Sequence, residues 1–108
     1  KFNIELEEQV QIKVLNTPGH TFAHLCLLVF ERKRAVAAFT GDALFSAGVG
    51  NCTNGGDPKI LYETISEQFY SLDDDVVVYP GHEYLENNLL LMTLFYFLGL
   101  YKPYKYPN

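Results

Sequence analysis

The sequence predicts an α/β fold, a mixed or mostly antiparallel sheet with helices on its outside. Three observations carry that reading. Val10 to Leu15 alternates Val, Ile and Val with Gln and Lys, the period-two pattern of a half-buried strand. Two apolar runs, Leu25 to Phe30 and Ala35 to Phe39, flank the charged turn Glu31-Arg32-Lys33-Arg34 and read as a hairpin of buried strands. Behind Asp57-Pro58, residues Ile60, Leu61, Ile65, Phe69 and Leu72 recur at helical spacing.

Taken in order, the strand over 10–15 stops at Asn16-Thr17-Pro18-Gly19, where proline has no N–H to give a ladder and glycine turns freely. The hairpin places strands over 25–30 and 35–40. Gly41, Gly48, Gly50, Gly55 and Gly56 then punctuate a segment too polar and glycine-rich for a regular element, a long loop of functional character. Asp57 reads as a helix N-cap with Pro58 at the first helical position, where a missing N–H costs nothing, so a helix is predicted over 58–70. Asp73-Asp74-Asp75 breaks it. Val76 to Tyr79 is a short buried strand ended by Pro80-Gly81, and a last helix is expected over 84–98.

A length of 108 residues bounds the chain to one domain, and 48% hydrophobic residues with eight Tyr and eight Phe predict a packed core. Thirteen acidic against eight basic residues give a formal charge of -5, which argues against a nucleic-acid partner because such binding neutralises phosphates with Lys and Arg. Cys26 falls in an apolar strand and Cys52 in a Gly/Asn loop, so the pair makes no disulfide framework and points to a reducing compartment, the cytoplasm, with the mitochondrion as alternative. The chain starts Lys-Phe-Asn without an initiator Met or a secretory leader, and reads as part of something longer. Leu89 to Tyr101 is apolar but interrupted by Thr93 and Gly99 and falls short of the roughly 20 residues that span a bilayer. It reads as a helix packing on protein, and no membrane partner is expected.

The side chains able to hold a metal fall in a pattern. His20, Asp42 and His82 each follow a predicted strand, in Pro18-Gly19-His20, Thr40-Gly41-Asp42 and Pro80-Gly81-His82. Strand ends lying side by side in one sheet converge on a rim where ligands are commonly mounted. Gly19, Gly41 and Gly81 let the backbone turn each candidate inward. Imidazole with carboxylate suits zinc, iron or manganese rather than calcium. Two strand-Pro-Gly-His units and one strand-Thr-Gly-Asp in so short a chain point to metal ligation rather than to three independent turns. His24 lies four residues after His20, as in a helical metal pair, but no Glu base follows His20.

The strings Thr17-Pro18-Gly19-His20-Thr21, Phe39-Thr40-Gly41-Asp42-Ala43-Leu44-Phe45 and Tyr79-Pro80-Gly81-His82-Glu83-Tyr84 closely resemble the later motifs of glyoxalase II, the hydroxyacylglutathione hydrolases of the metallo-β-lactamase superfamily. The resemblance covers roughly residues 10 to 90. It implies half of the αβ/βα two-sheet sandwich of that superfamily, with His20 on one metal, Asp42 bridging both and His82 on the second. It further implies two divalent metals, zinc first, with iron or manganese as alternatives. The implied reaction is hydrolysis of a glutathione-type or related thioester, a small-molecule substrate. In such a site two cations lower the pKa of a bridging water toward about 7, so that hydroxide is the nucleophile. The resemblance gives His24 a packing or supporting role behind the ligands. Tyr84 matches the tyrosine that contacts glutathione; read from the residues alone, it is an aromatic at a helix start. Glu83 reads as a surface or supporting carboxylate.

The sequence departs from the family in three places. The His-x-His-x-Asp-His motif, which supplies the remaining ligands, is absent from the chain, so residues 1–108 are expected to be the C-terminal half of the domain and catalytically inert alone. Asn51 stands where glutathione-hydrolysing members usually have a basic residue, and Asn54-Gly55-Gly56-Asp57 differs from the usual connection. The missing sheet leaves one face of the core bare, which points to self-association through the Leu89 to Leu100 segment. Two other readings are carried: a persulfide dioxygenase, whose single iron would use His20 and Asp42 but not His82, and a non-catalytic fragment or binding module of the same fold.

Overall fold

The computed structural model describes residues 3–7, 9–45, 48–82, 98 and 105. Its elements are β1 (Asn3–Glu7), β2 (Val10–Asn16), β3 (Leu25–Glu31), β4 (Arg34–Gly41), β5 (Leu44–Phe45), β6 (Gly48–Val49), α1 (Pro58–Thr64) and β7 (Val77–Pro80). After Thr64 the helix widens into a π-wound turn, Ile65–Phe69. Within the described residues the predicted strands and the helix over 58–70 are all present. β1 and the small hairpin β5–β6 are additional. Ile4 alternates with Glu5 in β1, a period-two signal too short to stand out, and β5–β6 lies inside the glycine-rich segment.

Five strands form one sheet in the order β1-β2-β3-β4-β7, antiparallel except for the parallel pair β4–β7. Because β3 runs backwards between β2 and β4, strands β2, β4 and β7 point the same way. Their C-terminal ends therefore share one rim. Gly41 lies opposite Pro80 there, and the Gly81 amide donates to the Gly41 carbonyl at 2.7 Å.

The two faces of the sheet differ. Leu15, Cys26, Leu28, Ala38 and Val78 pack with Leu61 and Phe69 of the helical segment into the core. Each leucine, valine or phenylalanine among them, when fully buried, contributes about 1.5–3 kcal/mol of apolar transfer. On the other face Leu25, Leu27, Phe39 and Tyr79 remain exposed, although Leu27, Phe39 and Tyr79 sit in register across three strands. The unbroken apolar run in β3 thus reflects two apolar faces, only one of which is covered by the helix.

The helical segment also fixes the loop after β2. Asp57 Oδ1 accepts from the amides of Lys59 at 2.8 Å and Ile60 at 3.1 Å, which caps α1 as its sequence predicts. Carbonyls of that loop have no ladder partner and need donors. The Asp57 amide donates to the Gly19 carbonyl at 2.9 Å, Thr64 Oγ1 to Pro18 at 2.7 Å, and Gln68 Nε2 to Asn16 at 2.7 Å. Among the described residues no helix is long and apolar enough to cross a membrane. Glu83, Tyr84 and nearly all of the predicted helix over 84–98 lie outside the described residues; Leu98 sits in a turn and is exposed.

Candidate metal centre

The shared rim brings His20, Asp42 and His82 together. His20 Nε2 stands 3.5 Å from Asp42 Oδ2, and His82 Nδ1 stands 2.6 Å from Asp42 Oδ1. Each carboxylate oxygen thus faces a different imidazole. The ring of His82 meets Phe45 edge-on, with centroids 6.1 Å apart. Both cysteines are free thiols.

Other contacts orient these three. His20 Nδ1 pairs with the Asn51 carbonyl at 2.5 Å, and since a carbonyl only accepts, Nδ1 carries the proton and the Nε2 lone pair is turned toward Asp42. The side chain of Asn51 is occupied within its own loop, accepting from the Thr53 amide at 3.2 Å and hydroxyl at 2.8 Å. Glycine at position 50 permits this approach: a Cβ there would overlap the Asp42 carbonyl and stand 2.8 Å from His20 Nδ1. The sequence reading missed this use of the loop. Its composition marked it as functional, but no residue type reveals a backbone carbonyl as an orienting group.

His24 lies behind the rim rather than on it. Its Nδ1 is 2.9 Å from Thr17 Oγ1, and its Nε2 accepts from the Asp42 backbone amide at 3.2 Å. Burial and the neighbouring His20 hold His24 below the usual histidine range, with Asp42 opposing them. Cys26, beneath it, is pushed up to about 11 by burial, against a hydrogen bond from Thr17.

The donor set fits a divalent metal. Two zinc ligands at about 2.0–2.1 Å and a tetrahedral angle stand roughly 3.3 Å apart, close to the His20–Asp42 separation. The His82–Asp42 contact is shorter and is a direct hydrogen bond. Among the described residues no three His, Cys, Asp or Glu side chains close around a single ion position. The arrangement is a row with the carboxylate in the middle.

No family model matches the chain. It is 52% identical over 86 residues to the hydroxyacylglutathione hydrolase of Nitrosococcus oceani, a match covering 80% of this chain and 32% of that protein. The chain is a glyoxalase II relative. It spans about a third of the length of the curated hydroxyacylglutathione hydrolases it matches. Its structure is similar to ETHE1 from Myxococcus xanthus, with a TM-score of 0.66 and 32% identity over 77% of this chain and 35% of that one. It is also similar to TTHA1623 in a di-iron-bound form, with a TM-score of 0.56 and 32% identity over 68% of this chain and 35% of that one. The fold is part of the metallo-β-lactamase α/β sandwich, and one of these neighbours, TTHA1623, is in a di-iron-bound form.

Proposed function

We propose that this glyoxalase II relative supplies His20, Asp42 and His82 to the two-metal site of a hydroxyacylglutathione-type thioester hydrolase. The observation that carries the reading is the Asp42 carboxylate with one oxygen toward each histidine. The similarity to hydroxyacylglutathione hydrolases supplies the substrate class, a small-molecule glutathione thioester. The open sheet face bearing Leu25, Leu27, Phe39 and Tyr79 supports a domain completed by a second sheet from the rest of the parent polypeptide.

In that reading His20 and Asp42 hold one cation, and Asp42 and His82 the other. Divalent cations held there supply polarisation of the thioester carbonyl and a water acidified toward about pKa 7. The protein's own part is orientation: the Asn51 carbonyl keeps the Nδ1 proton of His20, so its Nε2 is available as a ligand. Alone, the chain holds cations weakly and turns over no thioester, because ligands split between two positions leave each cation mostly water-coordinated.

The test is an assay of thioester hydrolysis, with zinc, iron or manganese, by the 108-residue chain and by the parent that carries the remaining ligands. Turnover confined to the parent, with two metals bound, supports the reading. One iron per parent with persulfide oxidation and no thioester turnover makes it a dioxygenase, and no metal makes it a binding module.

A further inference from the structure

We propose that Thr17 and His24 are positioning residues that set the Asp42 carboxylate through its backbone amide, an inference that rests on reading Asp42 as a metal ligand. The Asp42 amide follows Gly41, which has a left-handed φ of 52° and ends β4, so the amide leaves the sheet just where its ladder stops. It donates instead to His24 Nε2 at 3.2 Å. A backbone N–H only donates, so Nε2 must be bare and the neutral ring must carry its proton on Nδ1.

The partner of that proton is Thr17 Oγ1, at 2.9 Å and fully buried. The threonine hydroxyl keeps one proton of its own, with Cys26 Sγ at 3.2 Å and the His24 carbonyl at 3.3 Å in reach. Cys26 Sγ in turn donates to the Thr40 carbonyl at 3.3 Å, near the end of β4 and two residues before Asp42. The series Thr17, His24, Asp42 with Cys26 and Thr40 therefore ties the end of β2 and the start of β3 to the end of β4. A ring in the opposite tautomer would set one donor against another at Asp42 and displace it. The space is also tight, since a Cβ on Gly41 would lie 3.0 Å from His24 Nε2.

Substitutions in the full 108-residue chain separate this role from simple packing. In His24→Gln the side-chain carbonyl reaches where Nε2 was and can still accept from Asp42; in His24→Asn it is too short, and in His24→Leu there is no acceptor. Zinc affinity is read by competition titration, with circular dichroism to confirm folding. Removing a group that orients a ligand weakens metal binding about tenfold or more. His24→Leu, His24→Asn and Thr17→Val are expected to lose that much, while His24→Gln and Thr17→Ser stay within about threefold of the native chain. Equal affinity in His24→Leu and the native chain, or no rescue by His24→Gln, overturns the inference. Failure of the parent that carries the remaining ligands to bind zinc overturns the reading of Asp42 and the inference together. Ring nitrogen-15 NMR of the native metal-free chain decides the matter even if variants do not fold: His24 is expected with Nδ1 protonated and Nε2 bare, and the opposite tautomer overturns the proposal.

Discussion

Phe39 and Tyr79 stack on the open face of the sheet, ring centroids 4.9 Å apart and planes 15° from parallel, in register across the parallel pair β4–β7. Phe69, packed from the helical segment onto the opposite face, is fully buried. The two phenylalanines should therefore answer very differently to truncation. Phe69→Ala removes a core ring and leaves a cavity, costing about 3–5 kcal/mol, enough to unfold a marginal domain. Phe39→Ala loses a half-exposed aromatic pair worth about 1 kcal/mol. Denaturant midpoints of the two variants measure the contrast, and equal losses would mean that the open face is covered in solution.

Much of this fold was legible in the sequence because its local signals agree with one another. The period-two run of β2, the charged turn between β3 and β4, and Asp57-Pro58 ahead of a helical repeat each have one physical reading. The rim was legible too, since a glycine followed by His or Asp at each strand end is a pattern of residue types. What the sequence hid was held by backbone and by register. The Asn51 carbonyl on His20, the Asp42 amide on His24 and the Thr64 hydroxyl on the Pro18 carbonyl depend on pairs 31, 18 and 46 residues apart. The exposure of Leu27 and Phe39 was equally hidden, because an apolar run states a preference for burial but not what covers it.

The Thr64 hydroxyl is buried and donates to the Pro18 carbonyl, in the loop that carries His20. Thr64→Val keeps the shape and removes the donor, leaving a carbonyl without that partner at a cost of about 1–3 kcal/mol. Glu63→Ala, on the exposed side of the same helix, serves as the control and should lie within about 0.5 kcal/mol of the native chain. Thermal or denaturant unfolding of both variants checks the difference.

Cys26 and Cys52 should separate cleanly under thiol alkylation. Burial pushes Cys26 up to about 11, so at pH 8 only about one molecule in a thousand carries the thiolate there, and the sulfur is almost wholly enclosed. Cys52 is half-buried and lines an apolar cleft with Val49, Leu61 and Tyr62 that opens to solvent. Mass spectrometry after brief iodoacetamide treatment is expected to find Cys52 labelled and Cys26 unlabelled. Cys26 becomes labelled once denaturant is added. Rapid labelling of Cys26 in the folded chain would mean that β3 opens readily at its start.

The last prediction turns on the unequal spacing either side of Asp42. At 3.5 Å, His20 Nε2 and Asp42 Oδ2 already stand as two ligands of one cation would, and the Asn51 carbonyl fixes the His20 ring. At 2.6 Å, His82 Nδ1 and Asp42 Oδ1 are in hydrogen-bond contact, which must open before a cation can lie between them. His82 is also the more exposed ring, with side-chain accessibility of 57% against 16% for His20, so holding it in place has a larger entropic cost. Zinc added to the isolated chain should therefore occupy the His20–Asp42 position first. His20→Ala and Asp42→Ala are each expected to weaken zinc binding about tenfold or more, and His82→Ala by less than about threefold. Competition titration on the three variants, each confirmed folded by circular dichroism, reads this order directly. A loss in His82→Ala as large as that in His20→Ala would show that the His82 side is equally prepared, and that the hydrogen bond to Asp42 opens at little cost.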